Sequence, residues 1–311
     1  MLKIIIPAIV FLILLLLFPS VCVQGAASGL CLWLDTMVPT LFPFLLITNI
    51  LRDYHGIPLF EHLFSPILSR IFKTGSGGAY PVILGCLCGY PMGAKAVCDS
   101  LSGGRIQPRE ADYLITFVNN PSPVYMTGYV CLYILGREDL RFPLLMIILT
   151  VPAITAFIIR RLPGNRHAPG PVLLAAQLSR QNSGGSLNRC ITDACDVLVK
   201  VGGFMMIFSV FSALIQQLPG IPAVAVCIIA GLLEQTTGLA LLKAQAISAE
   251  IKTVLAMVFV CFGGLSILAQ TYSIIHPQGL SVKKYIFGKI ISGTAAGLLT
   301  LGWLYIARMF H

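Results

Sequence analysis

Long apolar runs, several of them interrupted by polar residues, dominate the chain. They are Ile4 to Val23, Gly29 to Leu51, Ala79 to Cys98, Ala111 to Leu135, Phe142 to Ile159, Val197 to Leu214, Ile221 to Leu242, Thr253 to Ile275 and Tyr285 to Ala307. A helix needs about 20 mostly apolar residues to cross a bilayer. The pattern predicts an all-α fold, a polytopic transmembrane helix bundle of about eight or nine spans. Between the second and third runs, Leu59, Phe60, Leu63, Phe64, Ile67, Leu68, Ile71 and Phe72 recur at helical spacing, with charges and His62 on other faces. That stretch reads as an amphipathic helix, lying in the membrane interface or packed on neighbouring protein.

Four runs are broken by residues that a plain span avoids. Gly89-Tyr90-Pro91-Met92-Gly93, followed by Lys95, interrupts one, and Asn119-Asn120-Pro121-Ser122-Pro123 interrupts the next. Glu234-Gln235-Thr236-Thr237-Gly238 and Gly263-Gly264-Leu265-Ser266, with Gln270 beyond, interrupt two more. Proline removes a backbone donor and crowds the preceding turn. In hydrocarbon each freed backbone group costs several kcal/mol unless protein or a water-filled cavity satisfies it. Breaks at mid-membrane therefore point to a site, with a structural kink as the alternative. The breaks come in two pairs: Asn119 lies 34 residues after Gly85, and Gly263 lies 32 after Gly231. This spacing predicts two pseudo-repeated halves with discontinuous helices.

Composition supports the membrane reading. Of 311 residues, 57% are hydrophobic and 11% charged, against about 25% charged in soluble proteins. The net charge of +9 sits in short loops and at span ends, where it sets topology, so no nucleic-acid partner is expected. Most of the ten cysteines lie in or beside apolar runs and act as small hydrophobes. With no C-x-x-C pair and scattered histidines, neither a metal nor a cofactor is expected.

The division read from the chain is a first helix at residues 1–28, one half of the membrane domain at 29–160, a basic linker at 161–188 and a second half at 189–311. The first run could also be a secretory signal, but its length and the spans after it favour a retained helix. Trp33 reads as an interfacial anchor. Asp35 is either a coupling carboxylate or a helix cap. Arg160, Arg161, Arg166 and Arg180, with no acid among them, place the linker in the cytoplasm. Lys283 and Lys284 would then fall outside, against that rule. Asp196 and Lys200 could neutralise each other one turn apart. Gly288, Gly293, Gly297 and Gly302 suit close helix packing in the last span.

A carboxylate near mid-bilayer is by default a functional candidate, so Glu234 leads. Gln235, Thr236, Thr237, Asn119, Asn120, Ser122, Tyr90, Ser266 and Gln270 supply neutral donors and acceptors. Lys95 is a weaker candidate, able to snorkel to the interface or to pair with Glu234. The set suits a polar solute with several hydrogen-bonding groups. The plainer alternative is interhelical hydrogen bonding, about 0.6 kcal/mol per bond.

The segments WLDTMVPTLFPFLLITNIL, GYPMGAK, FVNNPSPVYMTGYV and FGGLSILAQ resemble the YlbJ family of sporulation integral membrane proteins. The resemblance runs from Trp33 to Gln270 and is most specific at GYPMGAK and FGGLS. It implies a multi-pass cell-membrane protein of spore-forming bacteria, required for spore cortex formation. It also implies a nucleoside-recognition or Gate domain, shared with concentrative nucleoside transporters and the membrane part of ferrous-iron transporters. Such transporters place acidic and amide residues at broken hairpins. Glu234-Gln235-Thr236 matches that placement, while GYPMGAK carries a lysine and no acid. The implied partners are the lipid bilayer and a small polar solute such as a nucleoside; the sequence does not specify an oligomeric state. A transporter-like core and a non-transporting scaffold of spore-envelope assembly both fit. An enzyme is not expected: the chain has no HExxH, no GxSxG and no paired aspartates within spans.

Overall fold

The computed structural model describes residues 2–54, 56–162 and 186–309. Residues 163–185, most of the basic linker, lie outside the described residues. Regular structure among the described residues is helical throughout. In chain order come α1 (Leu2–Leu17), α2 (Pro19–Leu32), α3 (Val38–Asp53), α4 (Ile57–Phe72), α5 (Ala79–Leu87), α6 (Met92–Ser102) and α7 (Pro108–Leu114). Then follow a π-helical segment (Tyr125–Ile134), α8 (Arg141–Arg161), α9 (Leu187–Gln216), α10 (Ala223–Leu233), α11 (Gln235–Ala244), α12 (Ala249–Phe262), α13 (Gly264–Ile275) and α14 (Val282–Met309).

Five stretches are long and apolar enough to cross a bilayer: Pro19–Asp53, Glu138–Arg161, Leu187–Gln216, Ala249–Gln278 and Val282–Met309. Shorter apolar helices sit at Ile5–Leu17, Ser76–Leu87 and Ala223–Leu233. This is a multi-pass membrane protein.

Several boundaries differ from the sequence reading, each for a physical reason. The first helix ends at Phe18 and Pro19, where proline suits the first turn of a new helix; the second helix starts there, well before residue 28. α2 runs through a π-helical turn (Trp33–Met37) into α3 as one stretch of 35 residues. Trp33 therefore sits mid-helix, half-buried against α9. Its Nε1 donates to Leu198 O at 2.9 Å, and Gly202 leaves room for the ring. Asp35 lies inside the same turn, exposed, and caps no helix. Asp196 and Lys200 form no ion pair; the neighbouring Asp193 takes Arg52 at 2.7 Å. Lys284 pairs with Asp112 at 2.9 Å. α4 forms as the periodicity requires: Ile57 and Phe72 are buried, while Leu59, Leu63, Ile67 and Ile71 present one exposed apolar stripe.

The larger correction concerns the runs Ala79 to Cys98 and Ile221 to Leu242, which were expected to cross as interrupted spans. Each instead folds back as a short helical hairpin. α5 has 9 residues and α10 has 11, lengths of about 14 and 16 Å, half of the hydrocarbon thickness. Glycine makes the reversals possible. Gly85 and Gly93 both lie against Val118 O, one from each arm of the first hairpin, and a Cβ on either would overlap that oxygen. Gly238 lies against the Gly231 backbone, so α11 returns along α10. In α14, Gly288 meets the Thr116 backbone, Gly293 meets Phe262 and Gly297 meets Val258, whereas Gly302 has nothing within 4 Å.

These contacts separate structural glycines from incidental ones. Gly85→Ala and Gly93→Ala should each destabilise by about 3 kcal/mol, the upper part of the overpacking range. Gly302→Ala should be neutral, or stabilising by up to about 1 kcal/mol, because it only reduces unfolded-chain freedom. Thermal midpoints of the purified variants in detergent check this; equal midpoints for Gly85→Ala and Gly302→Ala would refute the close approach at Val118.

Candidate functional site

The breaks in the helices converge. α10 ends at Leu233, and Glu234 adopts an extended backbone (φ −143°, ψ 113°) before α11 begins. That single residue frees two N–H groups, and its own side chain takes both. Thr236 N donates to Oε1 at 3.1 Å, and Thr237 N donates to Oε2 at 2.6 Å. A carboxylate at a helix N-terminus also meets the positive end of the dipole. Glu234 is thus both the candidate acid and the cap that lets the chain turn inside the membrane. It is 2% exposed.

Around Glu234 lies a cavity of about 30 Å³. Tyr90 and Gly89 reach it from the first hairpin, Ser122 and Tyr125 from the second break, Gln235 and Thr236 from α11, and Gln270 from α13. Thr40 of α3 and Met205 of α9 complete the wall. The polar atoms are partly engaged. Tyr125 Oη and Thr236 Oγ1 are 3.3 Å apart. Ser122 Oγ accepts from Tyr125 N at 3.2 Å, and Gln270 Nε2 donates to Ser266 Oγ at 3.2 Å. Gln235 Oε1 is buried with no hydrogen-bond partner. One acid and no base line the wall, so the local field favours a neutral or cationic hydrogen-bonding group at Glu234. The volume is room for one or two waters, whereas pockets that enclose small molecules span about 300–1,000 Å³; the core is closed in this structure.

Of the residues expected from the sequence, Tyr90, Ser122, Glu234, Gln235, Thr236 and Gln270 come together at this cavity. Asn119, Asn120, Lys95 and Ser266 do not line it. Ser266 is fully buried behind Gln270. Asn120 Nδ2 donates to Phe117 O at 2.6 Å, closing the turn before the break. Lys95 pairs with Asp99 at 3.3 Å, not with Glu234; the i, i+4 partner on its own helix wins over one on a distant hairpin. Lys95 lines a neighbouring cavity instead.

Asn119 belongs to a second polar cluster. Its Nδ2 donates to Thr271 Oγ1 at 2.9 Å and to Tyr285 Oη at 3.0 Å, and Thr271 Oγ1 also donates to Tyr285 Oη at 3.1 Å. Lys289 Nζ donates to Asn119 O at 2.9 Å and lies 4.8 Å from the centre of the Tyr90 ring. The Tyr90 hydroxyl donates to Val260 O. Tyr90 therefore has one face towards the cavity network and a cation beside its ring. Lys289 is 1% exposed and escaped the sequence reading, which saw only small residues for packing in the last run. A charged residue about one fifth of the way into an apolar run, the fifth of 23 residues, was the available signal. Tyr125 was likewise missed. It starts a stack with Tyr129 (5.3 Å) and Tyr133 (5.5 Å), which ends under Lys243 Nζ, 3.7 Å from the Tyr133 ring.

The chain was compared with known proteins. It is 23% identical to the sporulation integral membrane protein YlbJ of Bacillus subtilis (strain 168) over 327 aligned positions, covering 94% of this chain and 80% of that protein. The resemblance carried by GYPMGAK and FGGLS thus extends along nearly the whole length, including the second half. No family model and no solved structure matches the chain.

The two clusters should respond differently to mutation. Tyr285→Phe leaves an Asn119 donor without one acceptor and should destabilise by about 1–2 kcal/mol. Lys95→Gln removes a partly exposed i, i+4 pair and should cost less than about 0.5 kcal/mol. Melting midpoints of the two variants, measured in one detergent, test the distinction; the reverse order would contradict the placement of Asn119.

Proposed function

We propose that the chain is a sporulation membrane protein whose broken-helix core binds and moves a small polar solute. The membrane location and the likeness to a sporulation protein set the context; a part in spore cortex formation follows from the family resemblance. The observation that carries the reading is the convergence of three helix breaks on Glu234 and Gln235, with Gln235 Oε1 buried and unpartnered. Burial without a partner costs about 1–3 kcal/mol, and of the described buried side-chain atoms that lack one, Gln235 Oε1 alone belongs to a residue lining this cavity; a scaffold gains nothing from an open acceptor there. In a binding site, a donor on the solute completes it.

The two-halves reading supports the same function. Each half pairs a hairpin with a following break: α5–α6 with residues 118–123, and α10–α11 with Gly263–Gly264. In each, the break packs against its hairpin. Val118 O meets Gly85 and Gly93, and Gly264 lies beside Gln235 N and Leu233 O. Paired discontinuous segments around a central site are the architecture of many secondary transporters. Gly263 and Gly264 both hold positive φ (+92° and +75°), a conformation glycine adopts without strain, and they place a hinge between α12 and α13. Movement there would enlarge the closed cavity to admit a nucleoside-sized solute. The acid, amides and hydroxyls of the wall suit hydrogen bonding to such a molecule, and the chemistry is binding and movement without catalysis.

Complementation tests the proposal. In a spore-forming host lacking its own copy of the related protein, wild-type chain should restore heat-resistant spores. Glu234→Gln and Gln235→Ala, at matched membrane levels, should lower the yield by at least about tenfold, the size of effect expected when an acceptor at the binding site is lost. Full rescue by both variants would favour the scaffold reading.

A further inference from the structure

A ridge of side chains along α9 carries a feature that the central cavity alone does not explain. Val197, Val201, Met205, Ser209, Ala213 and Gln217 stand four apart, in or directly after the helix, and so form a single row that advances about 40° per step and winds from one side of the helix to the other. Twenty residues of helix rise about 30 Å, the thickness of the hydrocarbon layer. Three cavities lie along this row in order. The first, about 240 Å³, is lined by Val197 and Val201 with Lys95, Lys200 and Gln270. The second is the central cavity, at Val201 and Met205. The third, about 270 Å³, is lined by Ser209, Ala213 and Gln217 with Gln24, Ser28 and Thr237.

The cavities adjoin one another. The first two share Val201 and Gln270 as a common wall. The second and third meet at consecutive residues, Thr236 and Thr237, and one turn of α9 separates Met205 from Ser209. Ser209 Oγ and Thr237 Oγ1 are hydrogen-bonded at 2.9 Å across that boundary. Val201, Met205 and Ser209 are buried, while Gln217 is exposed and Val197 and Ala213 are half-buried. The row is open at both ends and closed in the middle, at two places. Away from the central Val201–Met205 part of the row, Val199 and Ile207 are 64% and 42% exposed and suit lipid.

We propose that this row of α9 is the solute route through the membrane, with Gln270–Val201 closing it on the linker side of Glu234 and the Ser209–Thr237 hydrogen bond closing it on the other. The inference rests on the transport reading and adds a path and two closures to it. The polarity of the third cavity fits. Gln24, Ser28, Gln216 and Gln217 gather between two apolar helices, where such side chains are expensive unless they face water.

Single cysteines test the route. In a background with the exposed Cys31 and Cys195 changed to serine, cysteine is placed at Val197, Val201, Met205, Ala213 and Gln217, and at Val199 and Ile207 as lipid-facing controls. A charged, membrane-impermeant thiosulfonate is applied to right-side-out and to inverted vesicles holding the full chain. Thiol reactivity follows thiolate formation and access, so row positions should react at least about tenfold faster than the controls. Val197→Cys should label from the linker side and Gln217→Cys from the opposite side. Thr237→Val, which removes the hydrogen bond to Ser209, should speed labelling of Met205→Cys from the Gln217 side. Row rates equal to the controls, or labelling of both ends from one side, would overturn the route. Because labelling needs no transport, such a failure beside an inactive Glu234→Gln would discard the route and keep the site. Rapid row labelling beside a fully active Glu234→Gln would keep a hydrated route and discard the site.

Discussion

Within hydrocarbon a backbone N–H or C=O that leaves a helix must find a partner inside the protein, and the core of this molecule is arranged around that requirement. The first hairpin closes its break with backbone bonds, Met92 N to Gly89 O and Lys95 N to Pro91 O; the other three breaks are answered by side chains. Glu234 takes the N–H groups of Thr236 and Thr237. Asn120 takes Phe117 O, Ser122 takes Tyr125 N, Lys289 takes Asn119 O and Tyr90 takes Val260 O. Several kcal/mol per unsatisfied group explains why the breaks are rich in polar residues before any function is invoked. It also means that polarity at a break is not by itself evidence of a ligand.

That distinction sorts the candidates. Asn120 and Lys289 spend their hydrogen bonds on the protein. Asn119 donates twice but keeps its Oδ1 buried and unpartnered, as Gln235 does its Oε1; of the two, only Gln235 lines the cavity beside Glu234. A carboxylate already holding two N–H groups stays fixed in direction, and its remaining acceptor capacity is available to a ligand. Local order at the site thus comes from the same bonds that make the break tolerable. Function would need little more than opening a wall.

The walls are thin where they would have to move. Gln270 belongs to α13, which starts at two glycines of positive φ. Thr237 is held to Ser209 by a single hydrogen bond, worth about 1 kcal/mol net. The hairpins, by contrast, are locked at Gly85, Gly93 and Gly231 by contacts that leave no space for a Cβ. Tightly packed hairpins beside an α13 that begins at two positive-φ glycines are what the proposed transport would need: one side able to shift while the backbone bonds of the breaks persist.

Much of this was legible in the chain. Apolar runs of span length fixed the membrane class, because burial in lipid tolerates little else. The periodicity from Leu59 to Phe72 located the amphipathic helix, and Glu234, Gln235, Ser122, Tyr90 and Gln270 were identified by being polar where polarity is costly. The direction of the chain after each break was not legible. Gly85 marked the repeat spacing and Gly238 belonged to a break, but nothing in the chain showed that the backbones of Val118 and Gly231 lie against them. Lys289, Asn119 and Lys95 could be marked as polar, but their partners lie on other helices or on a face that spacing alone does not select. Sequence determines which segments must leave water and where a helix must break, since those are local costs. Only the tertiary structure decides which groups share a cavity, because that depends on the packing of helices far apart in the chain.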